Sequence, residues 1–432
     1  MNNKIKLLTL PLLGLLLNYS TSNASLNLSL MDSYARNDSI NINRDIKNVI
    51  MFIGDGMGPN HVEAGEIYLD REFVFSDDEN EKWTYHGYQN TDSLTSVGYH
   101  LDTSKSLLRP ELNETLYDSA KSPYTDSGNS SGNYMSDTCY TDSAAGGTAL
   151  ASGFKTVNSA VGIDKHGNNL ENLTEIAAKL GKKTGVVSSD TIDGATPASF
   201  LSHVPSRHMS NEIVEGIKNS PANLVIGEKA STWSDSVATS FTQNGWHVAS
   251  NLYDSSIESD KEIIVFDGLL PDSHLTPSLA DLTIYALDKL DNDEGFFLMV
   301  EGASIDKASH SHQSKTMMNE LVDFEAAIKV AEDWANSRDD TIMVVTADHE
   351  TGGLYFDREN TSKETIVDDL KWLSYNHSRT RVSLDVYGDI SDFLTTYETE
   401  LDRLGTLDEG LETESDNYWD NTDVFKLCVS YL

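Results

Sequence analysis

The 432 residues suffice for one large α/β domain, and a 38% hydrophobic content that includes 6 Trp, 18 Tyr and 13 Phe supplies a sizeable core. Against 31 Lys and Arg stand 69 Asp and Glu, a formal charge of −38. That balance excludes nucleic acid as a partner, because such affinity comes from basic side chains meeting phosphates, and it reads as a solvated acidic surface suited to a salty medium.

The chain begins with Lys4 and Lys6, an apolar stretch from Leu7 to Leu17, and a small-x-small site at Ser22-Asn23-Ala24. This is the pattern of a secretory signal peptide over residues 1–24. The apolar stretch is too short to span a bilayer, so a periplasmic or secreted protein with no membrane span after cleavage is expected. Residues 25–432 read as a single catalytic domain, since no repeat or low-complexity linker divides them. The first strand, Asn48 to Ile53, runs through Gly54 to Asp55, and a helix through Val62 to Leu69 follows. Thr84 to Gly98 suggests a strand pair, and residues 101–138, rich in Ser, Asn, Asp and Gly, suggest an irregular insertion. Cys139 and Cys428 are far apart in sequence and outside any Cys-x-x-Cys spacing, so no role or pairing follows from them. A helix is predicted over Asn168 to Leu180 with Gly181 as its stop, then strands at Lys183–Ser188, Leu224–Ile226 and Ile263–Phe266. Phe296–Val300 ends at Glu301, and Thr341–Ala347 ends at Asp348-His349. Between these two runs, Thr316 to Asn336 has helical periodicity through Leu321, Phe324, Ile328, Ala331 and Trp334. Such alternation predicts a mostly parallel central sheet with helices on both faces.

Three of the apolar runs stop at a carboxylate: Asp55, Glu301 and Asp348. Open α/β sheets bind ligands beyond the carboxyl ends of their strands, and acids gathered there repel one another unless a cation sits between them. Asp306 and His310 share one helical face, an oxygen and an imidazole that suit zinc, whereas the all-oxygen Glu301 suits magnesium. Asp348 and His349 reach one ion only if the strand has already turned, which Gly352-Gly353 makes feasible. In Gly54-Asp55-Gly56-Met57-Gly58 a dinucleotide fingerprint fails: its third glycine would fall at Pro59, and an acid in the loop would oppose pyrophosphate. Thr141-Asp142-Ser143-Ala144 puts a serine at a helix start, either an N-cap or a nucleophile beside an anion site.

The ordered set Thr-Asp-Ser-Ala, Glu-Gly-Ala-Ser-Ile-Asp-x-x-x-His and Thr-Ala-Asp-His, with Asp420 to Phe425 near the end, resembles the alkaline phosphatases. The resemblance implies phosphate monoester hydrolysis through a phosphoserine at Ser143, an alkaline-phosphatase-like fold, two zinc ions and one magnesium ion, and a homodimer. It assigns Asp306, His310 and His377 to one zinc, and Asp348, His349 and Asp55 to the other. Asp55 also bridges to magnesium, with Glu301 and Thr196, while Arg207 grips substrate phosphate. One position departs from the family pattern. Two residues before Thr196, where Asp or His is usual, stands Gly194, leaving Asp193 or a water to fill the gap. Only 28 positions (377 − 349) separate His349 from His377, too few for a large inserted domain. The competing readings are a phosphodiesterase or sulfatase on a related fold, and a catalytically silent metal-binding protein.

Overall fold

Short, β-branched runs that avoid charge form strands buried on both faces, and these build the centre of the molecule. The computed structural model describes residues 46–94, 99–102, 107–110, 140–256, 258–268, 277–397 and 419–432, all of them within one compact unit, Ile40–Leu432. The central sheet contains β1 (Asn48–Gly54), β2 (Trp83–Asn90), β3 (Lys183–Thr191), β4 (Leu224–Glu228) and β5 (His247–Ala249). It continues with β6 (Glu262–Phe266), β7 (Phe296–Gly302), β8 (Thr341–Thr346), β9 (Val382–Tyr387) and β10 (Trp419–Asp420). Their order is β10-β2-β9-β8-β1-β7-β3-β4-β6-β5. From β8 across to β5 every neighbouring pair is parallel, and β9 runs antiparallel to both β8 and β2.

Consecutive residues of a strand point to opposite faces, and both faces here are covered. Phe296 meets Trp334 on one side with ring centroids 5.6 Å apart, and Phe297 stacks on Phe200 at 6.0 Å on the other. Phe52 meets Phe324 edge-on at 6.2 Å. Each such ring contributes roughly 1.5–3 kcal/mol by leaving water. The covering helices are α1 (Pro59–Leu69), α2 (Ser143–Ser152), α3 (Leu279–Leu290), α4 (Ser304–His310), α5 (Ser314–Ala335) and α6 (Asn421–Tyr431). The long α5 packs on α1, α3 and α4, whereas α6 packs on α2 and on the short helix Leu173–Lys179. Among the described residues no helix is long and apolar enough to cross a membrane.

Some local expectations change. Of the strand pair expected over Thr84–Gly98, one strand is described, β2, which joins the central sheet between β9 and β10. The helix expected from Asn168 starts only at Leu173. Asn168 and Asn169 are occupied by a tight turn with Asp164 and a bridge to Ile163. Asn172 then caps the helix through a reciprocal bond pair with Glu175. Residues 1–24, most of the 101–138 insertion, and Cys139 lie outside the described residues. Tyr99–Asp102 and Leu107–Pro110 pair as an antiparallel ribbon, and Cys428 is a buried free thiol.

Candidate metal centre

The parallel register fixes which acids meet. Ile53 of β1 lies level with Glu301 of β7 and with Thr346 of β8, and Glu301 lies level with Ser188 of β3. Asp55, Glu301 and Asp348 therefore emerge together at the carboxyl edge of the sheet, all buried. Beyond Thr346 the chain leaves the sheet, so Asp348 and His349 no longer alternate. The His349 Nε2 atom lies 3.3 Å from Asp348 Oδ2 and 3.5 Å from Asp55 Oδ1. Gly56, at φ +74°, turns the chain after Asp55, where a Cβ would strike Thr351 Oγ1 at 2.8 Å and the Asp306 backbone at 2.9 Å.

A second cluster adjoins the first. Asp306 Oδ1 lies 3.3 Å from His310 Nε2 and 3.6 Å from His377 Nε2, and the two Nε2 atoms are 3.1 Å apart. The His349 and His377 rings stack with centroids 3.5 Å apart, so the clusters share a wall. Backbone carbonyls hold the far ring nitrogens, Tyr375 O to His310 Nδ1 at 2.5 Å and Thr141 O to His377 Nδ1 at 2.6 Å. A carbonyl only accepts, so both Nδ1 atoms carry the proton and both Nε2 lone pairs face inward. His377 comes from a two-residue strand, His377–Ser378, paired with Glu350–Thr351.

Ser143 is the first residue of α2, and its Oγ lies 3.3 Å from His349 Nε2. The N-cap is Asp142, whose carboxylate accepts from Ala145 N, so the Ser143 hydroxyl is released from capping and turned into the site. The small-residue composition of α2 has a local reason: at Gly146 a Cβ would meet the Asp348 carbonyl at 2.8 Å. Arg207 Nη1 lies 3.4 Å from Asp142 Oδ2. Burial opposes the Arg207 charge, but Asp142, Asp55 and Asp306 outweigh it and raise its pKa.

Glu301 accepts a short bond from Ser188, and the buried Thr196 hydroxyl beside it also acts to lower its pKa. Asp193 is engaged elsewhere, accepting from Ser210. The acid that comes closest to the Gly194 gap is Asp190, whose Oδ2 is 3.1 Å from where a Gly194 Cβ would stand and whose other oxygen pairs with Lys307. Four residues of this neighbourhood escape sequence reasoning: Asp190, Ser188, Lys307 and Thr351. Ser188 meets Glu301, Lys307 meets Asp190 and Thr351 meets Asp306, each pair brought together from elements far apart in sequence, so no local spacing announces them. Asp142 was visible in its motif, and its N-cap spacing was the available signal.

The electrostatics ask for cations. Burial, then the charges of Asp348 and Asp306, push Asp55 well above the carboxylate range. Burial pushes Asp348 up to about 7, with Asp306 adding to it, and burial with the Asp190 charge takes Glu301 to about 8. His349 is held neutral by burial and by the neighbouring His377 and His310. Asp55 Oδ1 and Asp348 Oδ2 are buried with no hydrogen-bond partner, although such atoms are normally satisfied. Orphaned carboxylate oxygens facing inward-turned imidazole lone pairs fit divalent metal, and the mixed O/N donors suit zinc. Geometrically, Asp55, Asp348 and His349 form one such group and Asp306, His349 and His377 another.

Fold and site together define a class: α/β proteins with a metal-type centre at the carboxyl edge of a parallel sheet and a helix-borne serine facing it. The alkaline phosphatase family model matches residues 110–229 and 260–402, and the chain belongs to that family. Alkaline phosphatase 4 of Bacillus subtilis (strain 168) is 32% identical over 329 residues, 72% of this chain and 62% of that protein. This chain thus spans about six-tenths of that relative's length. The Escherichia coli (strain K12) alkaline phosphatase is 26% identical over 379 residues, 73% of this chain and 72% of its own. Among solved structures, alkaline phosphatase from the Antarctic bacterium TAB5 superposes with a TM-score of 0.65 at 23% identity, covering 89% of this chain and 97% of that one. A variant of the TAB5 enzyme with Mg bound in the M3 site gives 0.64 at 24% identity over the same shares. These two likenesses speak to the fold.

Proposed function

We propose that this protein hydrolyses phosphate monoesters to an alcohol and inorganic phosphate, through a phosphoserine at Ser143. The observation that carries the reading is the Ser143 hydroxyl, freed from capping by Asp142 and 3.3 Å from His349 at the meeting of two ligand-rich clusters. Asp306, His310 and His377 would hold one zinc, and Asp55, Asp348 and His349 the other. Asp55, Glu301 and Thr196 would hold magnesium, the ion named for the M3 site of the TAB5 variant. When bound, these ions supply Lewis acidity and the positive charge that the gathered carboxylates require.

The protein's own groups then divide the work. Ser143 Oγ attacks phosphorus in line, forming the Ser–O–P bond as the ester P–O bond breaks; its hydroxyl proton passes to solvent water, and the alkoxide leaves as the alcohol by taking a proton from water. Arg207, braced by Asp142, holds the equatorial phosphoryl oxygens, a task that matches its two-pronged donor geometry. The free N–H groups at the start of α2 add to that stabilisation. Water then attacks the phosphoserine, restoring Ser143 and releasing phosphate. On the same reading the protein is exported, acts as a homodimer and takes small phosphate esters. Ser143→Ala should lower nitrophenol release from its phosphate ester by about a thousandfold or more, and label from the substrate should no longer be trapped on the protein. Near-normal turnover would remove Ser143 from the chemistry.

A further inference from the structure

Thr351 is fully buried and belongs to neither ligand cluster, yet its hydroxyl touches both. Its Oγ1 lies 2.5 Å from Asp306 Oδ1 and 3.3 Å from His349 Nδ1. The backbone around it is fixed: Thr351 N donates to Gly56 O at 3.0 Å, and Thr351 pairs across strands with His377. A hydroxyl has one proton to give. A carboxylate oxygen can only accept, and it is the nearer partner, so that proton points at Asp306. Toward His349 the oxygen can then only accept, which requires Nδ1 to carry hydrogen. The His349 Nε2 lone pair is thereby bare, and it faces Ser143, Asp348 and Asp55.

We infer that Thr351 is a positioning residue that couples the two candidate metal clusters, one hydroxyl orienting the carboxylate of Asp306 and fixing the tautomer of His349. The inference rests on the metal-centre reading above. Partners of this kind set ligand orientation, and their loss typically costs 10–100-fold in metal affinity. Without the hydroxyl, Nδ1–H of His349 loses its acceptor, and the alternative tautomer would turn N–H toward Asp348 and Asp55, closing that ligand position. Both clusters weaken together, although only one side chain is changed.

The experiment is zinc titration of metal-stripped full-length protein, followed by calorimetry with a competing chelator. Thr351→Val, which removes the hydroxyl at nearly constant shape, should lose roughly 10–100-fold in zinc affinity at both sites. Thr351→Ser should restore both. Zinc binding by Thr351→Val within about threefold of wild type, or weakening at one site alone, overturns the inference while leaving the metal-centre reading intact. Failure of wild-type protein to bind two zinc ions removes both readings. Should Thr351→Val not fold, nitrogen-15 spectra of histidine-labelled, zinc-free wild type decide the matter: His349 must appear protonated at Nδ1, and the Nε2–H form overturns the inference.

Discussion

The two ligand clusters stand side by side but differ in exposure. Asp348 and His349 have fully buried side chains, whereas the His310 side chain is 35% exposed and that of His377 14%. The inner cluster sits on strand ends, braced by backbone: Gly56 N and His349 N both donate to Asp348 Oδ1. The outer one is assembled from a short helix and a two-residue ribbon. Burial makes uncompensated charge costly, so the inner cluster has the stronger demand for an ion. The outer one keeps contact with water, as the proposed hydrolysis would need of a group that meets a departing alcohol and an incoming water.

The strongest attack on this contrast removes one ligand from each side. Asp348→Asn should reduce monoester turnover by about a thousandfold or more and leave neither zinc stoichiometric, because it also disturbs Gly56 and the shared wall. His310→Ala should cost less, roughly 10–100-fold, with one zinc retained. Metal content after dialysis, measured beside turnover, tests the pair; equal losses would erase the distinction. A smaller effect sharpens the phosphate side of the site. Arg207→Ala should raise the inhibition constant for inorganic phosphate by about 10–100-fold, the range for losing a charge-assisted bidentate contact. An unchanged constant would exclude Arg207 from substrate binding.

The smallest effect concerns metal-free protein. Burial raises the folded-state pKa of Glu301 to about 8 and that of Asp348 to about 7, well above their ordinary carboxylate range. The folded state then holds more protons than the unfolded chain, and stability falls as pH rises through that window. Stripped protein should therefore melt a few degrees lower at pH 8 than at pH 5. Added zinc should remove most of the difference, and Glu301→Gln should flatten the slope. A flat profile would show that these groups ionise as freely as in the unfolded chain, and a slope of opposite sign that folding depresses their pKa values.

Much of this centre was legible because its chemistry interrupts hydrophobic runs. A strand that stops at Asp55, Glu301 or Asp348 announces both an edge and a charge in one line of sequence, and the i,i+4 pair Asp306–His310 survives as a helical contact. His377 could be proposed only by resemblance, since it enters on a ribbon too short to carry a period. Asp190 was invisible for a related reason: its relation to Glu301 exists only through the register of β3 against β7. Hydroxyls such as Ser188 and Thr351 are common residues whose meaning lies in what stands opposite them. The early end of the helix near Asn168 was a competition between local turn bonds and helix propensity that periodicity does not weigh.

The register that brings β1, β7 and β8 level has a kinetic consequence. Residues from Asp55 to His377 meet only after distant stretches of chain have closed into a parallel sheet, a slow kind of assembly. No short segment collects a full ligand set beforehand, so an ion arriving early finds only fragments. On the proposed reading, a metal ion would bind tightly only after the sheet has closed, because its donors come from separate strands.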